Sequence, residues 1–523
     1  MRGFVKNCGW AVLSGALLAL CFPKWGLYPL AWVALVPVVW RAQGLRPWRA
    51  AIQFFVAGWV FHALLLHWLM SNVYWAGGWA FVGYLVLCSI LGAYWGVVGW
   101  VWAWLRGRAP VLGGAFGLTL LWTAMEVADS YLFTGFGWGA VAYSQGRDLA
   151  LVQWAAVGGA PLVSAVVVLF NALVSLAIAE KGRMRWLRAG AAAAVLVFGH
   201  VVGAALLDEA DYNSRPLAVG LVQTDFPLEM KWDVEYKVEM VRNAAEKSRL
   251  LAEEKPVDLF VWPEAVIMDE ITTPGIEREV TALTKETGVP LYVGAVRYDA
   301  DQKGWPNSSY LIGSDGAIVD YYDKVHLCPF GEYAPFARHF PFLKSMVPAI
   351  GDVMFGEEAK AWPVDGRTIG PLICFEVLFA RMAEELRGMG ADCIVVITNL
   401  GWFGASGAIP QEFELARLRA VETRLPVVHC ANTGISGVFD PWGRFTLVEG
   451  LFDQFGRLRR FRDGVSPRAT IMRRAGGVLS VAAPGTRPLP HGPRVFPWLA
   501  VAGSALVVLA GLAMALTKRI PKP

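Results

Sequence analysis

The sequence predicts an α-helical transmembrane bundle of about eight helices joined to an extracytoplasmic α/β domain, on three observations. Hydrophobic residues make up 55% of the chain and charged residues only 17%, with 24 tryptophans, which is outside the range of ordinary soluble domains. Acids are segregated, since only Glu126, Asp129, Asp148 and Glu180 of the 43 fall within residues 1–207. From about residue 210 to 490 short apolar runs alternate with amphipathic stretches, the pattern of an α/β fold. The two regions therefore belong in different solvents, and a net charge of +4 is no argument for nucleic-acid binding.

Apolar runs long enough to cross a bilayer as internally hydrogen-bonded helices lie at about 5–22, 26–41, 51–70, 78–105, 111–129, 157–180, 189–207 and 497–516. The second is short and is expected to pack re-entrantly. Trp25, Trp75, Trp79, Trp102 and Trp104 fall near proposed ends, as interfacial anchors would. With the N-terminus inside, the cytoplasmic flanks hold Arg2, Lys6, Arg41, Arg46, Arg49, Arg106, Arg108, Lys181, Arg183, Arg185, Arg188, Lys518, Arg519 and Lys522. The opposite short loops hold only Lys24 and Arg147, so the count is fourteen against two. Seven helices before the insert then place it outside the cytoplasm. The expected domains are 1–210, helices 1–7; 211–490, the α/β domain; and 491–523, the eighth helix with a cytoplasmic tail.

Cys21-Phe22-Pro23-Lys24 lacks a small-residue cleavage site, so the first helix is expected to be retained. Glu126 lies inside an apolar run, either as a partner for a tryptophan or backbone donor or in a functional role. His62 and His67 are five residues apart and share no helix face, so no metal site is implied.

In the insert, Leu217–Gln223, Leu259–Trp262, Pro290–Ala295, Ile369–Cys374, Cys393–Thr398 and Pro426–Cys430 read as strands. Asp233–Glu254, Glu277–Glu286, Leu378–Arg387 and Gln411–Thr423 read as helices. Cys328, Cys393 and Cys430 read as packing residues, the last two within apolar strand patterns, and no Cys/His spacing suggests zinc.

Chemistry emerges where reactive side chains end apolar runs. Thr368–Ile373 delivers Cys374, with Glu376 two residues on, to the carboxyl edge of a sheet, where open α/β folds build their sites. Val257–Trp262, closed by Pro263, delivers Glu264 to the same edge. A further extended run, Tyr321-Tyr322-Asp323, is followed by Lys324, and Cys393–Thr398 ends at Asn399. A thiol is mostly protonated at neutral pH, so a nucleophilic cysteine needs a base or a nearby cation, and Glu264 and Lys324 would supply one of each.

Trp262-Pro263-Glu264, Tyr322-Asp323-Lys324-Val325-His326-Leu327 with Pro329-Phe330-Gly331-Glu332-Tyr333, and Ile373-Cys374-Phe375-Glu376 together resemble the nitrilase superfamily. Set between transmembrane helices, and with Trp402-Phe403-Gly404 after Asn399, the chain resembles the apolipoprotein N-acyltransferase family over nearly its whole length. The resemblance implies an αββα sandwich with a Glu264-Lys324-Cys374 triad and no cofactor or metal. Glu332, Glu376, Trp232, Phe375, Asn399 and Trp402 become supporting or substrate-binding residues, with Glu332 or Glu376 orienting Lys324 or the incoming amine. It implies a ping-pong transfer of an acyl chain from a phospholipid, typically phosphatidylethanolamine, to the α-amino group of a diacylglyceryl-cysteine apolipoprotein. The place would be the bacterial inner membrane, with the catalytic domain in the periplasm. Two positions depart from the family pattern: Leu400 replaces an acid, and Glu412 stands where histidine is frequent.

Two other classes compete. A membrane-tethered amidase or nitrilase would pass the acyl group to water, and a lipid-binding scaffold or transporter would not use the triad at all. The loop bearing Phe340, Phe342, Leu343, Met346 and Val347 is greasier than a small polar substrate needs, and is expected either to face lipid or to pack on the protein itself.

Overall fold

The computed structural model describes residues 2–73, 77–207, 216–227, 230–231, 233, 236–301, 303–337, 339–341, 343, 353–462, 464–482 and 495–517. The chain divides into a helical unit, Met1–Met70, Gly78–Asp208 and Pro490–Pro523, and an α/β unit, Ser71–Gly77 and Glu209–Leu489.

In the helical unit, Pro47–Leu65, Gly78–Arg108, Ala155–Ala179, Gly182–Ala205 and Phe496–Ala515 are long and apolar enough to cross a membrane. Arg2–Cys21 and the 15-residue Ala115–Asp129 accompany them. The expected second span is broken into a 3-10 turn, Tyr28–Leu30, and short helices Ala31–Ala34 and Val36–Ala42. Pro37 cannot donate to the preceding turn, and backbone freed at the break must find partners inside the protein. Asn171 supplies them: its Oδ1 accepts the Leu35 N–H at 3.0 Å and its Nδ2 donates to the Ala31 carbonyl at 2.9 Å. Ala155–Ala179 is likewise interrupted, at Gly158 and Gly159, so its straight part begins later than the sequence suggests.

Close helix packing explains Gly99, where an added Cβ would lie 2.7 Å from the Phe54 ring. Trp102 is fully buried against Phe54, so it is a packing residue and not an interfacial anchor, whereas Trp25 and Trp79 are exposed. Trp75 lies outside the described residues. Glu126 accepts from Trp122 Nε1 at 2.9 Å and the Val141 N–H at 3.0 Å, the tryptophan and backbone partners anticipated above. His62 and His67 each donate from Nδ1 to a carbonyl of their own chain segment, of Gly58 and Leu64.

Fifteen described strands build the α/β unit. They are β1 Leu217–Gln223, β2 Leu259–Val261, β3 Leu291–Val296, β4 Trp305–Ile312, β5 Ile318–Asp323, β6 Val353–Met354, β7 Trp362–Val364, β8 Arg367–Ile373, β9 Cys393–Thr398, β10 Val427–Ala431, β11 Gly437–Phe439, β12 Phe445–Leu447, β13 Gly450–Phe452, β14 Leu458–Arg460 and β15 Ala475–Val481. One sheet has the order β14-β13-β15-β1-β2-β3-β4-β5, with β6 beside β4, and the other β12-β11-β10-β9-β8-β7.

The sheets stack face to face over Val219, Val261, Tyr292, Ile369, Val395, Val428 and Leu479. Helices Lys237–Glu254 and Pro274–Thr287 cover the outside of the first sheet through Val241, Ile276 and Leu283. Helices Ala380–Gly388 and Ala408–Thr423 cover the second. This is the αββα sandwich expected from the sequence. Parallel pairing of β1, β2 and β3, and of β8, β9 and β10, sends their carboxyl ends to one edge of each sheet.

Candidate active site

Three strand ends converge on the site. After β2, Trp262 is pinned by its N–H to the Tyr292 carbonyl and by Nε1 to Ser248 Oγ, both at 2.9 Å, and Pro263 ends the pairing. Glu264 follows, buried, over Gly294, where a Cβ would come within 2.7 Å of the Glu264 Cα. The chain then turns through Ala265 in the left-handed region, φ 53°, and presents its carbonyl to the buried Lys231 Nζ at 2.9 Å.

After β5, Lys324 is 1% exposed, with Nζ 2.8 Å from Glu332 Oε2 and 3.7 Å from Glu264 Oε1. Burial opposes its charge, but Glu332, Glu264 and Cys374 outweigh burial and hold its pKa well above the usual lysine value. Asn307 on β4 spends both amide protons on these acids, donating at 2.8 Å to Glu264 Oε1 and at 2.8 Å to Glu332 Oε1. Glu332 Oε2 also accepts the Cys328 N–H at 2.7 Å. The ammonium, the amide and two carboxylates thus fix one another.

After β8, Cys374 opens a 3-10 turn, Cys374–Leu378, with φ 52°, a strained position for a residue bearing Cβ. Glu376, fully buried, holds that turn: Oε2 accepts the Ile373 N–H at 2.7 Å, and Oε1 accepts from Tyr322 Oη, Val325 N and His326 N at 2.7, 2.8 and 3.0 Å. Glu332, not Glu376, makes the ion pair with Lys324. Cys374 and Glu264 act on each other electrostatically, the Glu264 charge raising the thiol and the thiol lowering the Glu264 carboxyl. Burial, then Glu264 and Glu412, push its thiol well above the ordinary range, partly offset by Lys324 and by the Thr398 hydroxyl. Cys374 therefore rests as a thiol, and burial also raises the Glu264 carboxyl, which makes it the stronger base. Burial likewise raises the other thiols of this unit, Cys328 and Cys393 to about 12 and Cys430 higher still.

Phe375 is buried with its ring 5.3 Å from Phe379 and 5.9 Å from His326. Asn399 Oδ1 accepts from the Gly401 N–H at 3.3 Å and from Asn432 Nδ2 at 3.0 Å, capping the turn Leu400–Phe403 that carries the half-buried Trp402. Leu400 is itself buried, so the departure from an acid places an apolar side chain in the interior. Phe340 is 54% exposed and Leu343 half-buried, whereas Phe342, Met346, Val347 and Trp232 lie outside the described residues. Asn307, Thr398 and Lys231 were not singled out from the sequence. Asn307 and Thr398 are neutral side chains whose roles arise only from contacts made in the folded chain, and Lys231 carried no strand-end signal.

Residues 14–173 match the family model for the apolipoprotein N-acyltransferase N-terminal domain, and residues 218–452 match that for carbon-nitrogen hydrolase. Relatives named apolipoprotein N-acyltransferase include one from Geobacter metallireducens, 32% identical over 457 residues, covering 85% of this chain and 87% of the relative. Another, from Agrobacterium fabrum, is 32% identical over 495 residues, covering 88% of this chain and 89% of the relative. Among solved structures, Saccharomyces cerevisiae Nit3 of the nitrilase superfamily is 20% identical with a TM-score of 0.35, covering 46% of this chain and 88% of that one.

Proposed function

The chain belongs to the apolipoprotein N-acyltransferase family, and from that premise we propose that it moves an acyl chain from a phospholipid, through a thioester on Cys374, to the α-amino group of a diacylglyceryl-cysteine. The observation that carries the reading is the buried Lys324 ammonium set between Glu332 and Glu264, with the Cys374 thiol under the influence of both Lys324 and Glu264.

In the first half-reaction Glu264 takes the Cys374 proton as sulfur bonds to the ester carbonyl carbon. Lys324 and the Phe375 N–H face the oxygen that gains charge, an electrostatic contribution of the oxyanion-hole kind. The carbon–oxygen bond then breaks, the proton passes from Glu264 to the leaving alkoxide, and a lysophospholipid departs. In the second, the neutral amine attacks the thioester carbon and gives a proton to Glu264. The carbon–sulfur bond breaks and that proton returns to sulfur, restoring the thiol. Glu332 and Asn307 keep the ammonium and Glu264 aligned throughout. Phosphatidylethanolamine is the proposed donor. The bias of basic residues to one side supports a periplasmic domain on an inner-membrane bundle of eight helices, and the exposed Phe340 supports a loop that meets acyl chains.

The test is to incubate purified protein with phospholipid alone and analyse each cysteine by mass spectrometry. An acyl group on Cys374 with release of lysophospholipid, both cleared by adding a diacylglyceryl peptide, is the expected result. Acylation elsewhere, or no lysophospholipid before acceptor is added, would overturn the reading.

A further inference from the structure

The helix Ala408–Thr423 is the crossover between β9 and β10, and β8 pairs with the other side of β9. From this helix Arg419, fully buried, reaches the far end of the turn Cys374–Leu378 that follows β8. Its Nη1 donates to the Leu378 carbonyl at 2.8 Å and to the Val377 carbonyl at 3.3 Å. Its Nη2 lies 2.6 Å from Oε2 of Glu422, which is three residues further along the same helix and 1% exposed. Arg419 has no part in the acyl-transfer steps above.

Val377 and Leu378 are buried, at the break between the 3-10 turn and the helix Ala380–Gly388. Carbonyls at the end of a helical turn lack donors within it, and buried ones must find partners elsewhere. Arg419 is that partner. Taking a guanidinium and a carboxylate out of water is unfavourable, and apolar side chains of similar volume would fill the space more cheaply. The pair is therefore explained by what it holds.

The turn it holds begins at Cys374 with φ 52°, and backbone in that region persists only where its surroundings over-determine it. At the front, Glu376 Oε2 accepts the Ile373 N–H, and at the rear Arg419 donates to two carbonyls. An anion on the N–H end and a cation on the carbonyl end both suit the direction of the peptide dipoles. Taking Cys374 as the acyl-accepting nucleophile, we propose that Arg419 is a positioning residue for acyl transfer, pinning the rear of the turn whose front carries Cys374 and the Phe375 N–H. Arg419 acts through backbone alone. With the rear released, Cys374 can relax from its left-handed conformation, and its sulfur and the Phe375 N–H lose their common alignment.

The experiment uses the full chain in detergent and compares Arg419→Lys with Arg424→Lys. Arg424 is also buried and donates to a carbonyl, that of Pro441 at 2.9 Å, away from the Cys374 turn, so it controls for the loss of a buried guanidinium. An ammonium keeps the charge of Arg419 but cannot span two carbonyls and a carboxylate at once. Hydrogen exchange of the peptide covering 374–378 should quicken at least about tenfold in Arg419→Lys and stay at the wild-type rate in Arg424→Lys. In Arg419→Lys kcat should fall about tenfold to a hundredfold with KM within about twofold, whereas Arg424→Lys should lower the unfolding midpoint and leave kcat unchanged. Glu422→Gln, which retains Arg419 and loosens its anchor, should move exchange and kcat the same way by less, and it serves if Arg419→Lys does not fold. Wild-type exchange over 374–378 in every folded variant, an unchanged kcat in Arg419→Lys, or an equal fall of kcat in Arg424→Lys would each overturn the proposal. Exchange is read without any acyl donor and wild-type thioester formation separately, so failure of the acyl-transfer reading is distinguishable from failure of the role given to Arg419.

Discussion

Glu376 Oε1 accepts the backbone N–H of Val325 at 2.8 Å, so a carboxylate two residues after Cys374 grips the residue next to Lys324. One buried side chain thereby sets the spacing between a strand end in each sheet. All four of its partners, Tyr322 Oη, Val325 N, His326 N and Ile373 N, are donors.

Glu376→Gln follows from that census. With its oxygen facing the three donors around Oε1, the amide nitrogen must face the Ile373 N–H, donor against donor, which costs about 1–3 kcal/mol. The expected result is a lower unfolding midpoint together with a fall in kcat larger than any change in KM, because the strained Cys374 turn loses its clamp. Glu376→Asp, an anion one methylene shorter, should recover part of the loss. Steady-state kinetics and thermal unfolding check both variants.

Cys374→Ala should reduce both half-reactions to background, a loss on the order of 10⁴-fold or more. Cys393→Ala and Cys430→Ala remove sulfur from the core between the sheets and should cost about 1 kcal/mol each while leaving turnover essentially unchanged. Thioester mapping by mass spectrometry separates the two outcomes.

Lys231 gives a pH dependence with a definite sign. Burial lowers its pKa from 10.5 to about 7, against the pull of Glu264. A pKa lowered by folding contributes stability that is complete above the unfolded value and is lost as pH falls through the folded one. The wild type should therefore gain stability as pH rises from about 7 to 10.5 by way of this group, and Lys231→Met should show a flatter profile. Unfolding midpoints at pH 7 and pH 9.5 would decide it, and parallel curves for the two proteins would refute it.

Topology can be read with fusions. A reporter joined after residue 215 should behave as exported and one joined after Lys518 as cytoplasmic, on the fourteen-to-two bias of basic residues. The reverse pattern would place the α/β domain in the cytoplasm, away from exported lipoproteins.

The parts of the fold readable in the sequence are those where one force acts alone. Leu217–Gln223 and Cys393–Thr398 form strands over the expected residues because continuous apolar runs suit strands buried on both faces. Glu264 and Cys374 stand out because a reactive side chain ends such a run. β4 escaped notice because Pro306, Asn307, Ser308 and Ser309 interrupt its apolar pattern, although both serines are fully buried. Asn307 was missed with it. Glu412 was visible only as a departure, since its partners Thr398 and His429 are neighbours through packing and not through spacing. Trp102 was misplaced because proximity to a helix end says nothing of which way a ring faces.

β15 pairs with β1 along its whole length, Leu217 opposite Val481 and Gln223 opposite Ala475. The first strand of the domain therefore waits for the last before its backbone is satisfied on that side. Contacts so distant in sequence slow folding, and an unpaired edge invites the wrong partner in the meantime. A chain halted or cleaved before Ala475 should expose β1 as a sticky edge, so the late arrival of one strand makes the synthesis of this domain its most aggregation-prone period.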